Sequence, residues 1–244
     1  MGTRLRRVNL RSVLDVAASV LLIAAAITFL YRSFFNVSAL QNAELAVPAD
    51  PLSLDGVPIR GSDDAGVVMV VFADFQCPFC SRFTRDVLPE IEDRYVDAGL
   101  VALAFRHLPL QIHPQAEQAA VYAECAGQQG RFWEMHDELF SQEQLDGDVL
   151  HTIQDSLELD AASFGACLDD QDVVRRIQDS VTEANDLGVT GTPAFFVGRR
   201  QKDGRLTVTG TLSGARPAEE FFEQLDVALA GEPTGWRSWL PFIG

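Results

Sequence analysis

Val67-Val68-Met69-Val70-Val71-Phe72-Ala73-Asp74-Phe75-Gln76-Cys77-Pro78-Phe79-Cys80 decides how the rest of the chain is read. Its first part, VVMVVFADF from Val67 to Phe75, is an apolar run rich in β-branched residues, the pattern of a buried strand. Beyond it, from Ser81 to Tyr95, Phe83, Val87, Leu88, Ile91 and Tyr95 recur at helical spacing. The two cysteines therefore stand where a strand ends and a helix begins. A helix start offers unpaired backbone N–H groups and a positive dipole end, and both favour a thiolate on Cys77. Pro78 suits the first helical position, where its missing N–H costs nothing. Cys80 follows one turn later on the same face, close enough to form a disulfide with Cys77. The pair reads as a redox site.

Three other stretches belong with it: Gly191-Thr192-Pro193 followed by Ala194-Phe195-Phe196-Val197, Phe105-Arg106-His107-Leu108-Pro109-Leu110 followed by His113-Pro114, and Gly130-Arg131-Phe132-Trp133-Glu134-Met135-His136. Together with the Cys-x-x-Cys they make the chain resemble the thioredoxin superfamily, and more closely its extracytoplasmic DsbA-like branch. The first is similar to that family's cis-proline loop leading into a central strand. The second resembles the exit from the second core strand into a helical insertion, and the third a helix start within that insertion. The likeness covers roughly residues 52–231, and its most specific element is the Cys-x-x-Cys with Thr-Pro about 110 residues later.

This resemblance implies an α/β thioredoxin fold with a helical insertion at 114–188. It also implies roles. Cys77 becomes the exposed nucleophile and Cys80 the buried partner that resolves mixed disulfides, with no cofactor beyond the redox-active disulfide. A cis bond before Pro193 would set the backbone of Thr192 beside Cys77, where a client segment could pair as an added strand. Taken alone, Pro193 is an ordinary turn proline. Pro78 and Phe79, between the cysteines, fall where the family tunes its thiolate. A His after the proline can donate to the sulfur; Phe79 supplies neither charge nor a side-chain N–H, which argues against a very strongly oxidising potential. Asp74 has two readings: a buried acid assisting proton transfer, or a solvated residue at the strand end.

Organisation along the chain follows from the same patterns. Leu52-Ser53-Leu54 and Val57-Pro58-Ile59 flank Asp55-Gly56, as in a short entry strand or a hairpin. Strands at about 67–74 and 100–106 flank the Cys77 helix in a parallel βαβ unit. Residues 114–188 carry helical patterns only: Ala116 to Ala126, Phe132 to Phe140, Val149 to Leu157, Ala161 to Leu168 with Asp160 as N-cap, and Val173 to Leu187. Strands near 194–198 and 206–211 follow, with Gly204 in the turn between them. Pro217 then opens a helix with Phe221, Phe222, Leu225, Val227 and Leu229 on its apolar positions. His107, His113, His136 and His151 show no metal-ligand pattern and read as surface or helix-end residues, so no metal is expected.

Charge and hydropathy divide the chain. Residues 1–40 hold Arg4, Arg6, Arg7, Arg11 and Arg32 against Asp15, a balance of +4 within a total of −16, so residues 41–244 carry −20. So acidic a body, with no basic stripe, argues against a nucleic-acid partner. Residues 1–12 form a basic lead, and 13–35 are apolar apart from Asp15 and Arg32 near the ends. A bilayer core takes about 20 apolar residues and a signal-peptide core about 7–15, so length favours an uncleaved transmembrane anchor. A cleaved signal ending near Val37-Ser38-Ala39 is the alternative. Either way the arginines stay cytoplasmic and the domain is exported, extracytoplasmic or periplasmic. Residues 36–51 read as a tether. The tail, 232–244, is apolar, and Trp236 and Trp239 within it fit packing on the domain or contact with the membrane surface.

In an oxidising compartment the remaining pair, Cys125 and Cys167, 42 residues apart, suits a structural disulfide across the insertion; two free buried cysteines are the alternative. The expected function is that of a membrane-tethered dithiol oxidase that introduces disulfides into exported proteins. By resemblance, a quinone-linked membrane partner would reoxidise it. A reductase or isomerase of the same fold is the alternative, and a non-catalytic exported chaperone is the reading from another class. About twenty residues between anchor and fold leave no room for a dimerisation domain, so a monomer is expected.

Overall fold

The structure is a computed structural model, and the residues it describes are 45–231 together with Ile23, Ala26 and Thr28, which are helical. The chain divides into two compact units, Met1–Ala43 and Glu44–Gly244. The proposed anchor at 13–35 and the tail at 232–244 lie, but for those three positions, outside the described residues. Among the described residues no helix is long and apolar enough to cross a membrane.

β2, Val67–Ala73, is buried along its whole length. Val67, Met69, Val71 and Ala73 enter one hydrophobic cluster, and Val68, Val70 and Phe72 the other, on the opposite face of the sheet. A strand covered on both faces needs no polar alternation, which is why its sequence is an unbroken apolar run. β2 runs parallel to β3, Val101–His107, with Val67 opposite Val101 and Ala73 opposite His107. On its other side it is antiparallel to β4, Ala194–Arg200, which continues through a turn at Gly204 into β5, Leu206–Ser213. With β1, Ile59–Arg60, on the outer side of β3, the strand order is β1-β3-β2-β4-β5. The β4/β5 register shifts between Val197 and Gly198. Glycine is required there, since a Cβ on residue 198 would lie 2.3 Å from the Thr207 carbonyl oxygen.

Residues 52–60 form an entry strand but not the alternative hairpin. Leu52 bridges to Leu206 on β5, whereas Ile59 and Arg60 pair with Ala104 and Leu103 on β3. The segment therefore touches both sides of the sheet, and Leu52 and Leu54 join the second cluster on the way.

The helix after the cysteines departs from the even periodicity expected over 81–95. It runs as α1, Pro78–Arg82, a π segment Phe83–Val87, α2, Leu88–Ile91, and a second π segment Glu92–Val96. Pro89 accounts for the first wide turn. Its ring would strike the carbonyl of the preceding turn, and it has no N–H to give. The chain widens instead, with the Leu88 N–H donating to the Phe83 carbonyl, five residues back.

The insertion is helical: α3, Ala116–Gly127; α4, Phe132–Ser141; α5, Gly147–Ser156; α6, Ala161–Leu168; and α7, Gln171–Asp186. Asp146, Asp160 and Asp170 cap α5, α6 and α7 by accepting from the backbone N–H groups of Val149, Ser163 and Asp172. The closing helix α8, Ala218–Ala230, has Pro217 as its N-cap rather than its first residue. Val227 faces solvent at 61% exposure, while Phe221, Leu225 and Leu229 carry the buried face.

Candidate active site

Cys77 is the N-cap of α1 and Pro78 its first residue. The turn that delivers it begins at Asp74, whose carbonyl accepts from the Cys77 N–H at 3.0 Å. Asp74 is 1% exposed, so the solvated reading does not hold. Its carboxylate instead accepts from the backbone N–H groups of Gln76, at 2.7 Å, and Leu110, at 2.8 Å, and meets His113 Nδ1 at 2.7 Å. Those bonds fasten the loop after β3 to the cysteine turn. Gln76 adds to them, accepting from the Gln115 N–H and donating to the Leu145 carbonyl. The Ser81 hydroxyl donates to the Phe140 carbonyl on α4.

Opposite this turn the Thr192-Pro193 bond is cis, and the Cys77 Sγ donates to the Thr192 carbonyl at 3.3 Å across 115 positions of sequence. The Thr192 hydroxyl is buried and has no hydrogen-bond partner. Cys77 and Cys80 are free thiols, at 3% and 1% exposure. Cys77 is therefore not the exposed sulfur that the resemblance implies. Its side chain is recessed, and access comes through a cleft of about 530 Å³ lined by Cys77, Gln76, Ser81, Arg85, Gln142 and Leu145, among others.

Electrostatics separate the two sulfurs. The Cys77 thiol is lowered to about 6, chiefly by the hydrogen bond from Cys80; burial opposes this, and the Thr192 side chain, whose hydroxyl is free to turn to the thiolate, and the backbone N–H groups of Cys80 and Phe79 reinforce it. The helix start thus contributes, as the sequence leads one to expect, but the neighbouring thiol contributes more. Phe79 acts through its backbone alone, since its ring is 48% exposed with the Arg82 guanidinium 5.5 Å from its centre. Burial pushes the Cys80 thiol well above its ordinary value, and the adjacent Cys77 adds to the effect. One sulfur is poised as a thiolate and the other is held as a thiol.

Cys125 on α3 and Cys167 on α6 are disulfide-bonded, with Cα atoms 5.6 Å apart, and belong to the core rather than to the cleft. Of the four histidines read as surface or helix-end residues, two are buried. His107 and His136 are 4% and 2% exposed, His113 holds Asp74, and His151 alone is exposed, its Nδ1 3.2 Å from the Tyr122 hydroxyl. Gln76, Arg85 and the 142–145 loop around the cleft carry no motif that would single them out.

A family profile described as thioredoxin matches residues 54–213. Among curated proteins, the Na(+)/H(+) antiporter NhaA 3 of Salinispora tropica is 40% identical over 167 residues, covering 68% of this chain and 24% of that protein. The chain spans about a quarter of the length of the curated relatives it matches. Among solved structures, alpha-DsbA1 of Wolbachia pipientis matches with a TM-score of 0.65 at 25% identity, covering 73% of this chain and 94% of that one. DsbA2 of Pseudomonas aeruginosa matches with a TM-score of 0.55 at 28% identity, covering 71% and 96%. Profile and structures agree with one another and with the geometry of the cleft: the chain belongs to the thioredoxin family, in its DsbA-like branch.

Proposed function

We propose that the protein is a thiol:disulfide oxidoreductase acting as a dithiol oxidase on exported proteins, with Cys77 as nucleophile and Cys80 as resolving sulfur. The observation that carries this reading is the split between the sulfurs: Cys77 is lowered to about 6 beside the open cleft, and Cys80 is raised beneath it. A thiolate that is stable at neutral pH is a good leaving group, and a stabilised reduced form makes the disulfide an oxidant. In the forward cycle a client thiolate attacks Cys77 Sγ of the Cys77–Cys80 disulfide. The S–S bond breaks, and Cys80 departs with the electron pair and takes up a proton. A second client thiolate then attacks the client sulfur of the mixed disulfide, and Cys77 leaves as a thiolate. The client is oxidised by two electrons and the enzyme is reduced by two.

The buried Thr192 hydroxyl supports the last step, since it is free to donate to a Cys77 thiolate. The backbone beside Pro193 offers a client strand its pairing edge, and the exposed Phe79 ring offers an unfolded client apolar contact. Residues 13–35 would tether the domain to the membrane, with 1–12 cytoplasmic, 36–51 as linker and the 52–231 domain outside. A quinone-linked membrane partner would return the disulfide. The reductase or isomerase alternative draws on Phe79, which gives the thiolate no side-chain donor. Equilibrating the Cys77–Cys80 pair with glutathione decides between them. We expect a potential towards the oxidising end of the family, above about −180 mV; a value near −270 mV would replace oxidase with reductase.

A further inference from the structure

Resolution of a mixed disulfide at Cys77 requires Cys80 as a thiolate, yet Cys80 is 1% exposed and burial holds its proton. The acid nearest in sequence is engaged elsewhere, because the Asp74 carboxylate is committed to two backbone N–H groups and His113. A small cavity of about 10 Å³ lies against Cys80. Its walls come mostly from apolar side chains of β2, β3 and the cysteine helix, but Thr84 and His136 also line it. That volume suits a single water, and Cys80 Sγ, the Thr84 hydroxyl and the His136 ring provide polar partners for one.

His136 is an odd residue for this place. It is 2% exposed and packed among aromatic rings, with centroids of Phe75, Phe105, Trp133 and Phe140 at 6.0, 5.1, 5.0 and 4.9 Å. Its Nδ1 is 2.8 Å from Asp137 Oδ1. A carboxylate only accepts, so Nδ1 carries the hydrogen and Nε2 keeps its lone pair.

We propose that His136 is the proton acceptor for Cys80, taking its proton across this cavity as Cys80 attacks a mixed disulfide at Cys77. The inference rests on the oxidoreductase reading. The Cys80 S–H proton passes to Nε2, and the Cys80 sulfur bonds to Cys77 Sγ. The bond from Cys77 to the partner sulfur breaks, and that sulfur leaves as a thiolate with the electron pair. The partner is reduced and the enzyme pair oxidised, while Asp137 stabilises the imidazolium until it returns its proton to water. The resting state of the ring leaves it open to a proton. Burial lowers His136, Asp137 opposes this, and Arg60 and His107 add to the lowering, so the ring is neutral at rest, with Nε2 unprotonated and Asp137 the group that favours its imidazolium. Arg60 is itself bound to Asp137 and Glu92, and His107 to Glu124.

Reaction of the reduced full chain with 5,5′-dithiobis(2-nitrobenzoate) separates the steps. Attack by Cys77 releases one thionitrobenzoate, and attack by Cys80 on the resulting mixed disulfide releases a second. His136→Phe should leave the first release unchanged and slow the second by about 100-fold at pH 7, the lower end for general base catalysis. The gap should close towards pH 10, where hydroxide ionises Cys80 directly. Asp137→Asn, at a side chain 52% exposed, should slow the second release alone, and less than His136→Phe does; it serves as the test if His136→Phe does not fold. An unchanged second release in the folded variants would overturn the proposal, as would equal slowing of both releases at every pH. Absence of the first release in the unsubstituted protein would instead refute the oxidoreductase reading, and this inference with it.

Discussion

At the scale of single residues, the thiolate on Cys77 depends more on Cys80 than on the helix beneath it. Cys80→Ala should therefore raise the Cys77 titration midpoint from about 6, as read by thiolate absorbance across pH. The same midpoint governs the potential. Below about pH 6 reduction takes up two protons for two electrons, and above it only one, until Cys80 ionises. The potential should fall by about 59 mV per pH unit below the break and about 30 mV above it. A single slope through pH 6 would contradict the assignment. Stability follows the same sign: the folded value lies below the ordinary 9.0, so the contribution to the reduced domain is complete above about pH 9 and lost as pH falls through about 6. The cysteines were legible because their chemistry is written in spacing and in the neighbouring apolar run. His113, Gln76 and His136 were not, because each acts through a partner brought close only by folding. A histidine on an apolar helix face has the same local pattern whether it caps, packs or takes a proton.

Among the elements, strands and helices were legible almost throughout, since burial imposes periods of 2 and 3.6 that the residues display. The π segments were not, although Pro89 was a visible cue: counting apolar positions averages over a single widened turn. The course of 52–60 was equally hidden, because Leu52 and Ile59 find partners in β5 and β3, which their own neighbourhood does not encode. The insertion rests on a covalent join between α3 and α6. Opening Cys125–Cys167, or replacing both with Ala, should cost about 4 kcal/mol by freeing a loop of 42 residues in the unfolded chain. Urea unfolding of the two forms measures it, with the midpoint moving down; an unchanged midpoint would mean that packing alone holds the insertion.

On the scale of the whole molecule, the unit Glu44–Gly244 is compact in its own right. A chain begun at Glu44 should fold, remain monomeric in light scattering, and release the first thionitrobenzoate at the rate of the full chain. A folded but slower fragment would show that residues 1–43 take part in the reaction. The segment entering this unit has a mechanical consequence. The Leu45 carbonyl accepts from the Thr211 hydroxyl, Leu52 bridges to Leu206, and only then does the chain reach β1 on the opposite edge. Force applied from the N-terminal side would load these attachments one after another, as in a peeled seam. β2 and the cysteine turn lie beyond all of them, so such a force would be spent on these attachments before it disturbed the sulfurs.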